Sequence, residues 1–277
     1  NKNIVGEDFK SKIKKTCNYL KKIKSNYFFI SAPENVSWLL NIRGFDNPNS
    51  PICNCHLFLD QKKNFFLIAK KSKIKNLINE KKINLQQIIE PNEFSSLINK
   101  YKNGSVLIDS HTCSIFYEKI LSKKFKILRK EDPIYKFKSI KNKIEIKNMI
   151  KSHIYDGVAL TRFIHWIKKI NRKKITEYAA QNKLEKFRKK NKNYLFPSFN
   201  TIAGSGKNGA IIHYRATKKK TKILNKKDIF LCDSGGQYKY GTTDVTRTIC
   251  FSNPQPKIKN IFTKVLKGHI AVATTDL

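Results

Sequence analysis

The residues whose types and spacing suit chemistry lie between Leu231 and Phe251. Asp233 and Asp244 stand eleven residues apart by number, each beside a run of β-branched or apolar residues, with glycines between them. The pattern predicts two strands, Ile229–Asp233 and Val245–Phe251, closing a hairpin. A two-residue turn at Tyr238-Lys239 would set Asp233 directly opposite Asp244. Opposed side chains have Cβ atoms about 4.5–5.5 Å apart, where two like charges repel. A hard divalent cation turns that repulsion into binding, because such ions take carboxylate oxygens. The same spacing also suits a surface hairpin with two solvated aspartates. His213 comes twenty residues before Asp233, after a glycine-rich stretch, Ala203-Gly204-Ser205-Gly206-Lys207-Asn208-Gly209. Glycine there permits unusual φ or close backbone approach. The stretch is no phosphate-binding P-loop, since Lys207 is followed by Asn208 and not by Ser or Thr.

The elements that must position these residues read as an α/β chain. Helical spacing appears over Phe9–Lys24, Ile74–Lys81, Phe94–Tyr101 and His111–Leu121, with a short helix over Val36–Leu40. Tyr27–Ile30, Cys53–Leu59, Phe65–Ala69 and Val106–Ile108 read as strands. Alternation of the two predicts an α/β domain over residues 1–132. Glu131-Asp132-Pro133 marks a boundary, because Pro disfavours helix in the residue before it. Over 133–277 the regime changes: Ser139–Lys169 reads as one or two helices, and Ile175–Lys189 as another with Thr176 as its cap. A strand then leads from Phe196 into the glycine-rich stretch.

Composition excludes several functions. The 277 residues carry 40% hydrophobic and 11% aromatic side chains, enough for real cores. The formal charge of +37 suggests a polyanion partner. However, only positions 43, 129, 162, 172, 188, 215 and 247 are arginine, so 50 of the 57 basic residues (57 − 7) are lysine. Guanidinium is the usual base reader, and lysine spread along the chain fills solvated positions, so no specific nucleic-acid function is expected. No apolar stretch reaches the roughly 20 residues of a membrane span. The first residues form no signal peptide, although the chain starts without Met. The six cysteines make no CxxC pair and no disulfide framework, which fits reduced thiols and a cytoplasmic setting. In Cys53-Asn54-Cys55-His56, strand alternation would put both cysteines on one face and His56 on the other, against a zinc site. His111 has no acidic or Cys neighbour at ligand spacing and reads as structural, and His153 and His165 fall on helices, where a satisfied or solvated histidine is the ordinary case.

Three stretches together resemble the aminopeptidase P (Xaa-Pro aminopeptidase) family, whose catalytic domain has the pita-bread fold. They are Asn208-Gly209-Ala210-Ile211-Ile212-His213-Tyr214, Asp233-Ser234-Gly235-Gly236-Gln237-Tyr238 and Gly241-Thr242-Thr243-Asp244-Val245-Thr246-Arg247-Thr248. Trp38-Leu39-Leu40-Asn41-Ile42-Arg43-Gly44, Ile154-Tyr155-Asp156-Gly157-Val158-Ala159-Leu160 and Leu266-Lys267-Gly268-His269-Ile270-Ala271-Val272 are also similar to that family's long form. The resemblance implies a creatinase-like middle domain over 1–132 and the first part of a pita-bread catalytic domain over 133–277. It further implies two divalent ions, Mn²⁺-like, held by two Asp, one His and two Glu. Asp233 and Asp244 match the two Asp, with Asp244 bridging, and His213 matches a histidine lining the substrate site. A hydroxide activated by both ions would attack the carbonyl before proline in peptides with proline second. The remaining His and two Glu are expected beyond Leu277, so residues 1–277 alone are expected to be inactive and poorly soluble. Tyr240 stands where relatives often have an acid. A homodimer is also implied. Related alternatives are a proline dipeptidase, a creatinase-like hydrolase, or a pita-bread protein that has lost its metals and serves as a binding module.

Overall fold

The computed structural model describes residues 2–80, 83–169 and 175–276. The chain falls into two compact units that divide between Asn148 and Met149. Among the described residues, no helix is long and apolar enough to cross a membrane.

The first unit is built on a six-stranded mixed sheet. Its strands are β1 (Tyr27–Ile30), β2 (His56–Asp60), β3 (Phe65–Ile68), β4 (Ile88–Ile89), β5 (Gly104–Ile108) and β6 (Phe125–Arg129). Their order is β4-β3-β2-β1-β5-β6. β2 pairs antiparallel with β1 and β3, while β5 runs parallel to β1 and β6. Consecutive residues of β1 are buried because both sheet faces are covered. Phe28 and Ile30 join Leu57 and Leu59 in one core beneath the helices Phe9–Lys22 and Pro33–Leu40. Phe29 joins Phe58 in the other, with Phe94, Leu97 and Leu121 from the helices Phe94–Asn99 and Ile115–Ser122.

Most sequence expectations here hold to within a few residues. The strand expected from Cys53 begins at His56, and the helix expected from His111 begins at Ile115, after a turn. The helix expected over Ile74–Lys81 spans Lys75–Asn79, and Lys81 lies outside the described residues. β4 and β6 carried no clear sequence signal.

Asp132 caps the helix Pro133–Ser139, its Oδ1 accepting from the Ile134 amide at 2.8 Å. It is buried, and its Oδ2 accepts from Asn35 Nδ2 at 2.7 Å. Burial outweighs these hydrogen bonds and raises its carboxyl from 3.8 to about 6. A carboxyl whose folded pKa is raised binds its proton more tightly folded than unfolded. Its stabilising share is therefore complete below about pH 4 and lost as pH rises through about 6. Replacing Asp132 with Asn should remove that part of the slope between pH 4 and 6 in urea unfolding of the first unit. An identical slope in Asp132→Asn would contradict the assignment.

Among the described residues, the second unit has five strands: β7 (Tyr194–Pro197), β8 (Ile202–Ser205), β9 (Ile229–Ser234), β10 (Gly236–Tyr238) and β11 (Val245–Cys250). β11-β9-β8 form an antiparallel sheet, and β10 pairs separately with β7. The helix expected in one or two pieces is continuous over Lys143–Lys169 and crosses the division between the units in sequence. Its Leu160, Phe163 and Ile167 pack with Ala180 and Leu184 of the helix Glu177–Arg188 against Phe230, Cys232 and Ile249 of the sheet. Ile150, Ile154 and Val158 of the long helix are exposed. The last helix, Pro256–Ala273, has no buried residue.

Candidate functional site

The hairpin forms, but its register differs from the expected one. Thr246, not Asp244, lies opposite Asp233, and Val245 lies opposite Ser234. The same register continues outward to the bridge between Gln237 and Thr242 and to the Tyr238 amide donating to the Gly241 carbonyl at 2.8 Å. The reversal therefore falls at Lys239-Tyr240, one residue later than Tyr238-Lys239. Moving the turn by one residue slips the register by two, which preserves the face. Asp244, continued back from β11 by the pleat, shares the face of Thr246 and lies diagonal to Asp233. Diagonal neighbours are roughly 7–8 Å apart, still within reach of one ion or one pair of ions.

Two opposed faces of this sheet have different jobs. Phe230, Cys232 and Ser234 are buried, whereas Ile229, Leu231 and Asp233 between them are only partly covered. On the open face, Asp233 Oδ1 accepts from the Thr246 hydroxyl at 2.8 Å. Asp244 is exposed and has no hydrogen bond or ion pair among the described residues.

The buried face holds a polar network that the sequence reading missed. Arg188 and Asp156 are 1% exposed each. Arg188 Nε donates to Asp156 Oδ1 at 2.6 Å and Nη2 to Oδ2 at 3.0 Å, a two-point fork. Arg188 Nη2 also donates to Ser234 Oγ at 3.0 Å, and the Tyr238 hydroxyl donates to Asp156 Oδ1 at 2.8 Å. Burial, then the carboxylate of Asp156, push the Tyr238 hydroxyl well above its ordinary range. Two helices, the end of β9 and β10 are thereby tied together next to Asp233. Between β9 and β10 the chain must pass close to its neighbours. A Cβ on Gly235 would collide with the Thr243 carbonyl oxygen and the Ser198 hydroxyl, so only glycine fits.

His213 sits on the loop after β8, exposed and in the left-handed region at φ 55°. Gly204 pairs with Leu231 on the open face of the sheet. A Cβ on Gly204 would lie 2.7 Å from the Gly209 amide nitrogen, so the turn Gly206–Ala210 rests on that face only because Gly204 has no side chain. The loop carrying His213 thus leaves from the face that carries Asp233. Glu177, fully buried, holds it in place. Its carboxylate accepts from the Ser205 amide at 2.7 Å, Asn208 Nδ2 at 3.0 Å, the Tyr214 hydroxyl at 2.8 Å and the Lys222 amide at 2.9 Å. Burial, then the bond to Glu177, lift Tyr214 to about 12. Among the described residues, no hydrogen bond joins His213 to either aspartate.

Two carboxylates on one open face are a donor set suited to a hard divalent ion, and they make up only part of one. Among the described residues, no group of three or more His, Cys, Asp or Glu side chains could hold a metal.

The mixed-sheet unit is followed in sequence by a unit carrying the two-carboxylate hairpin, and each stretch finds a match among known proteins. Residues 1–145 match the creatinase/prolidase N-terminal domain, and residues 147–275 match metallopeptidase family M24. The Xaa-Pro aminopeptidase ApepP of Drosophila melanogaster is 34% identical over 264 residues, taking in 92% of this chain and 43% of its own length. A probable Xaa-Pro aminopeptidase P of Paracoccidioides brasiliensis is 33% identical over 293 residues, 98% of this chain and 46% of its own. The crystal structure of X-prolyl aminopeptidase from Caenorhabditis elegans, described as a cytosolic enzyme with a di-nuclear active site, superposes with a TM-score of 0.80. It is 24% identical and covers 93% of this chain and 44% of that one. A recombinant prolidase from Thermococcus sibiricus gives a TM-score of 0.74 at 23% identity, covering 94% of this chain and 70% of that one. At these identities, the structural likenesses speak to fold alone. The chain belongs to the Xaa-Pro aminopeptidase P family of M24 metallopeptidases, with a creatinase-type N-terminal domain followed by part of the pita-bread domain. It spans less than half the length of the curated relatives it matches.

The buried fork gives a direct expectation. Replacing Arg188 with Met leaves the Asp156 carboxylate buried without its partner, which should cost on the order of 3–5 kcal/mol in urea unfolding of the second unit. Adding Asp156→Asn to Arg188→Met should recover part of that loss. Strictly additive losses would show that the two side chains do not act as a pair.

Proposed function

We propose that this chain supplies Asp233, Asp244 and His213 to the active site of a metal-dependent aminopeptidase that removes an N-terminal residue preceding proline. The observation that supports it is the hairpin register, which puts Asp233 on the open face of β9 with Asp244, just before β11, diagonal to it, in a chain belonging to this family. Asp233 and Asp244 would hold divalent ions, Mn²⁺ by the family resemblance. Asp244, free of other partners among the described residues, would have both carboxylate oxygens available to those ions. Ions bound there would supply Lewis acidity and a water acidic enough to ionise near neutral pH. Asp233 is oriented by the Thr246 hydroxyl, which leaves its second oxygen for a ligand. His213, on a loop set by Glu177, would hydrogen-bond the scissile amide and hold it against the carboxylate face. No side-chain nucleophile is needed. Cys232, the cysteine next to Asp233, is buried and its thiol is pushed up to about 12. The remaining family ligands, a His and two Glu, are assigned to residues beyond Leu277, and the division between domains to the region of Asp132-Pro133.

The test uses a chain extended to the full length of its relatives. Asp244→Ala should lower cleavage of an Xaa-Pro peptide on the order of a thousandfold, several kcal/mol of transition-state stabilisation, and should lower metal content. His213→Ala should slow turnover while metal content stays. Unchanged turnover in Asp244→Ala would defeat the mechanism, and full-length protein without metal or turnover would favour a binding module. Residues 1–277 alone should bind Mn²⁺ weakly and cleave nothing. Because a prolidase shares the fold, Xaa-Pro dipeptides and longer peptides are compared side by side, and preference for dipeptides would move the assignment to a proline dipeptidase.

A further inference from the structure

The first unit contains a second reactive cluster that uses none of these residues. We propose that Cys53 and Cys55 form a thiol–disulfide modification site, at which Cys53 captures a low-molecular-weight disulfide of the glutathione class and Cys55 resolves it to an intramolecular disulfide.

The two sulfurs lie 3.4 Å apart, and a disulfide needs about 2.05 Å, a closure that side-chain rotation and a small backbone shift can supply. They are held in this arrangement by the loop before them. The Asn54 amide donates to Asp46 Oδ2 at 2.8 Å, and Asp46 Oδ1 pairs with Lys73 Nζ at 2.8 Å. Asn47 Nδ2 donates to Asn54 Oδ1 at 3.2 Å. Gly44 lies against Cys53 so closely that a Cβ there would sit 2.5 Å from the Cys53 Cβ. These contacts keep Cys53 beside Cys55 and leave only a short closing movement for the two sulfurs to meet.

Access and reactivity divide the roles. Cys53 is half-buried and open to a small reagent, whereas Cys55 is 4% exposed and reachable in practice only by its neighbour. The Cys55 S–H donating to Cys53 Sγ, with Ser37 Oγ 3.6 Å away, lowers the Cys53 thiol below its ordinary range and favours its thiolate. Cys113, by contrast, is pushed up to about 11 by burial, and Cys17 is raised for the same reason. Among the described residues, no other two cysteine sulfurs are in hydrogen-bond contact.

The exchange balances without another oxidant. The Cys53 thiolate attacks one sulfur of the small disulfide, forming a mixed disulfide and expelling one thiolate, which takes a proton. Cys55, losing its proton to water, attacks Cys53 Sγ and expels the second small thiolate, which is also protonated. The protein dithiol is oxidised by two electrons, and one small disulfide is reduced to two thiols.

The experiment treats the purified, reduced protein with oxidised glutathione, quenches with acid, counts free thiols and maps peptides by mass. The wild-type chain should lose two thiols, retain no glutathione and yield a peptide with Cys53 joined to Cys55, reversed by excess dithiothreitol. Cys55→Ser should trap one glutathione on Cys53, and Cys53→Ser should neither form the link nor retain glutathione on Cys55. A stable glutathione adduct on wild-type Cys53, an untouched pair, or a link between other cysteines would overturn the proposal. The wild-type map decides even if a variant folds poorly.

Discussion

The candidate site depends on a buried charge pair that never touches it. Moving Arg188 and Asp156 out of water is costly, and such a pair persists only when its geometry and surrounding hydrogen bonds return that cost. Here the fork is two-point, and both partners have an additional hydroxyl neighbour: Ser234 for the guanidinium and Tyr238 for the carboxylate. Those hydroxyls belong to the end of β9 and to β10. The pair therefore fixes where β9 stops and which of its faces is buried. Because Ser234 is held inward, the pleat turns Asp233 outward. The orientation of the outward carboxylate follows from a salt bridge on the other side of the strand.

Glu177 solves the same problem without a cation. It is fully buried, and its two oxygens are satisfied by backbone amides, a side-chain amide and a tyrosine hydroxyl drawn from Ser205 through Lys222. A buried carboxylate missing any of these donors would be strongly disfavoured, so the loop must close around it. His213, near the middle of that span, is thereby held at an exposed turn. Buried polar groups thus orient Asp233 and hold the loop that carries His213.

Elements with one strong local signal were legible in the sequence. The β1 run Tyr27–Ile30, the helix Phe9–Lys22 and the Thr176 cap each follow from side-chain pattern alone. The register of the hairpin did not, because Tyr238-Lys239 and Lys239-Tyr240 are both tolerable reversals. What decides between them is tertiary: β10 pairs with β7 through Tyr194–Pro197, some forty residues earlier in the chain, and Gly235 must pass against Ser198. Asp156 and Arg188 were missed for the same reason. Each lies on a helix where a charged residue ordinarily reads as solvated, and only the fold brings them within hydrogen-bond distance. Ile150, Ile154 and Val158 show the opposite case. They recur at the helical spacing of an apolar stripe, yet in this chain they are exposed.

A net charge of +37 would at first sight disfavour cation binding by two carboxylates. Screening removes most of that objection, since exposed charges beyond about 8 Å interact little at physiological ionic strength. What matters is the nearest cation. Arg247, one residue past the partner of Asp233, is the basic side chain closest in sequence to the pair. Its position opposite Cys232 assigns it to the other face of the sheet, and its Nη1 is engaged with the Thr246 carbonyl at 2.8 Å. The basic side chain nearest in sequence is therefore engaged with a backbone carbonyl and not with either carboxylate. The exposed lysines, spread along the chain, favour solubility and non-specific polyanion binding.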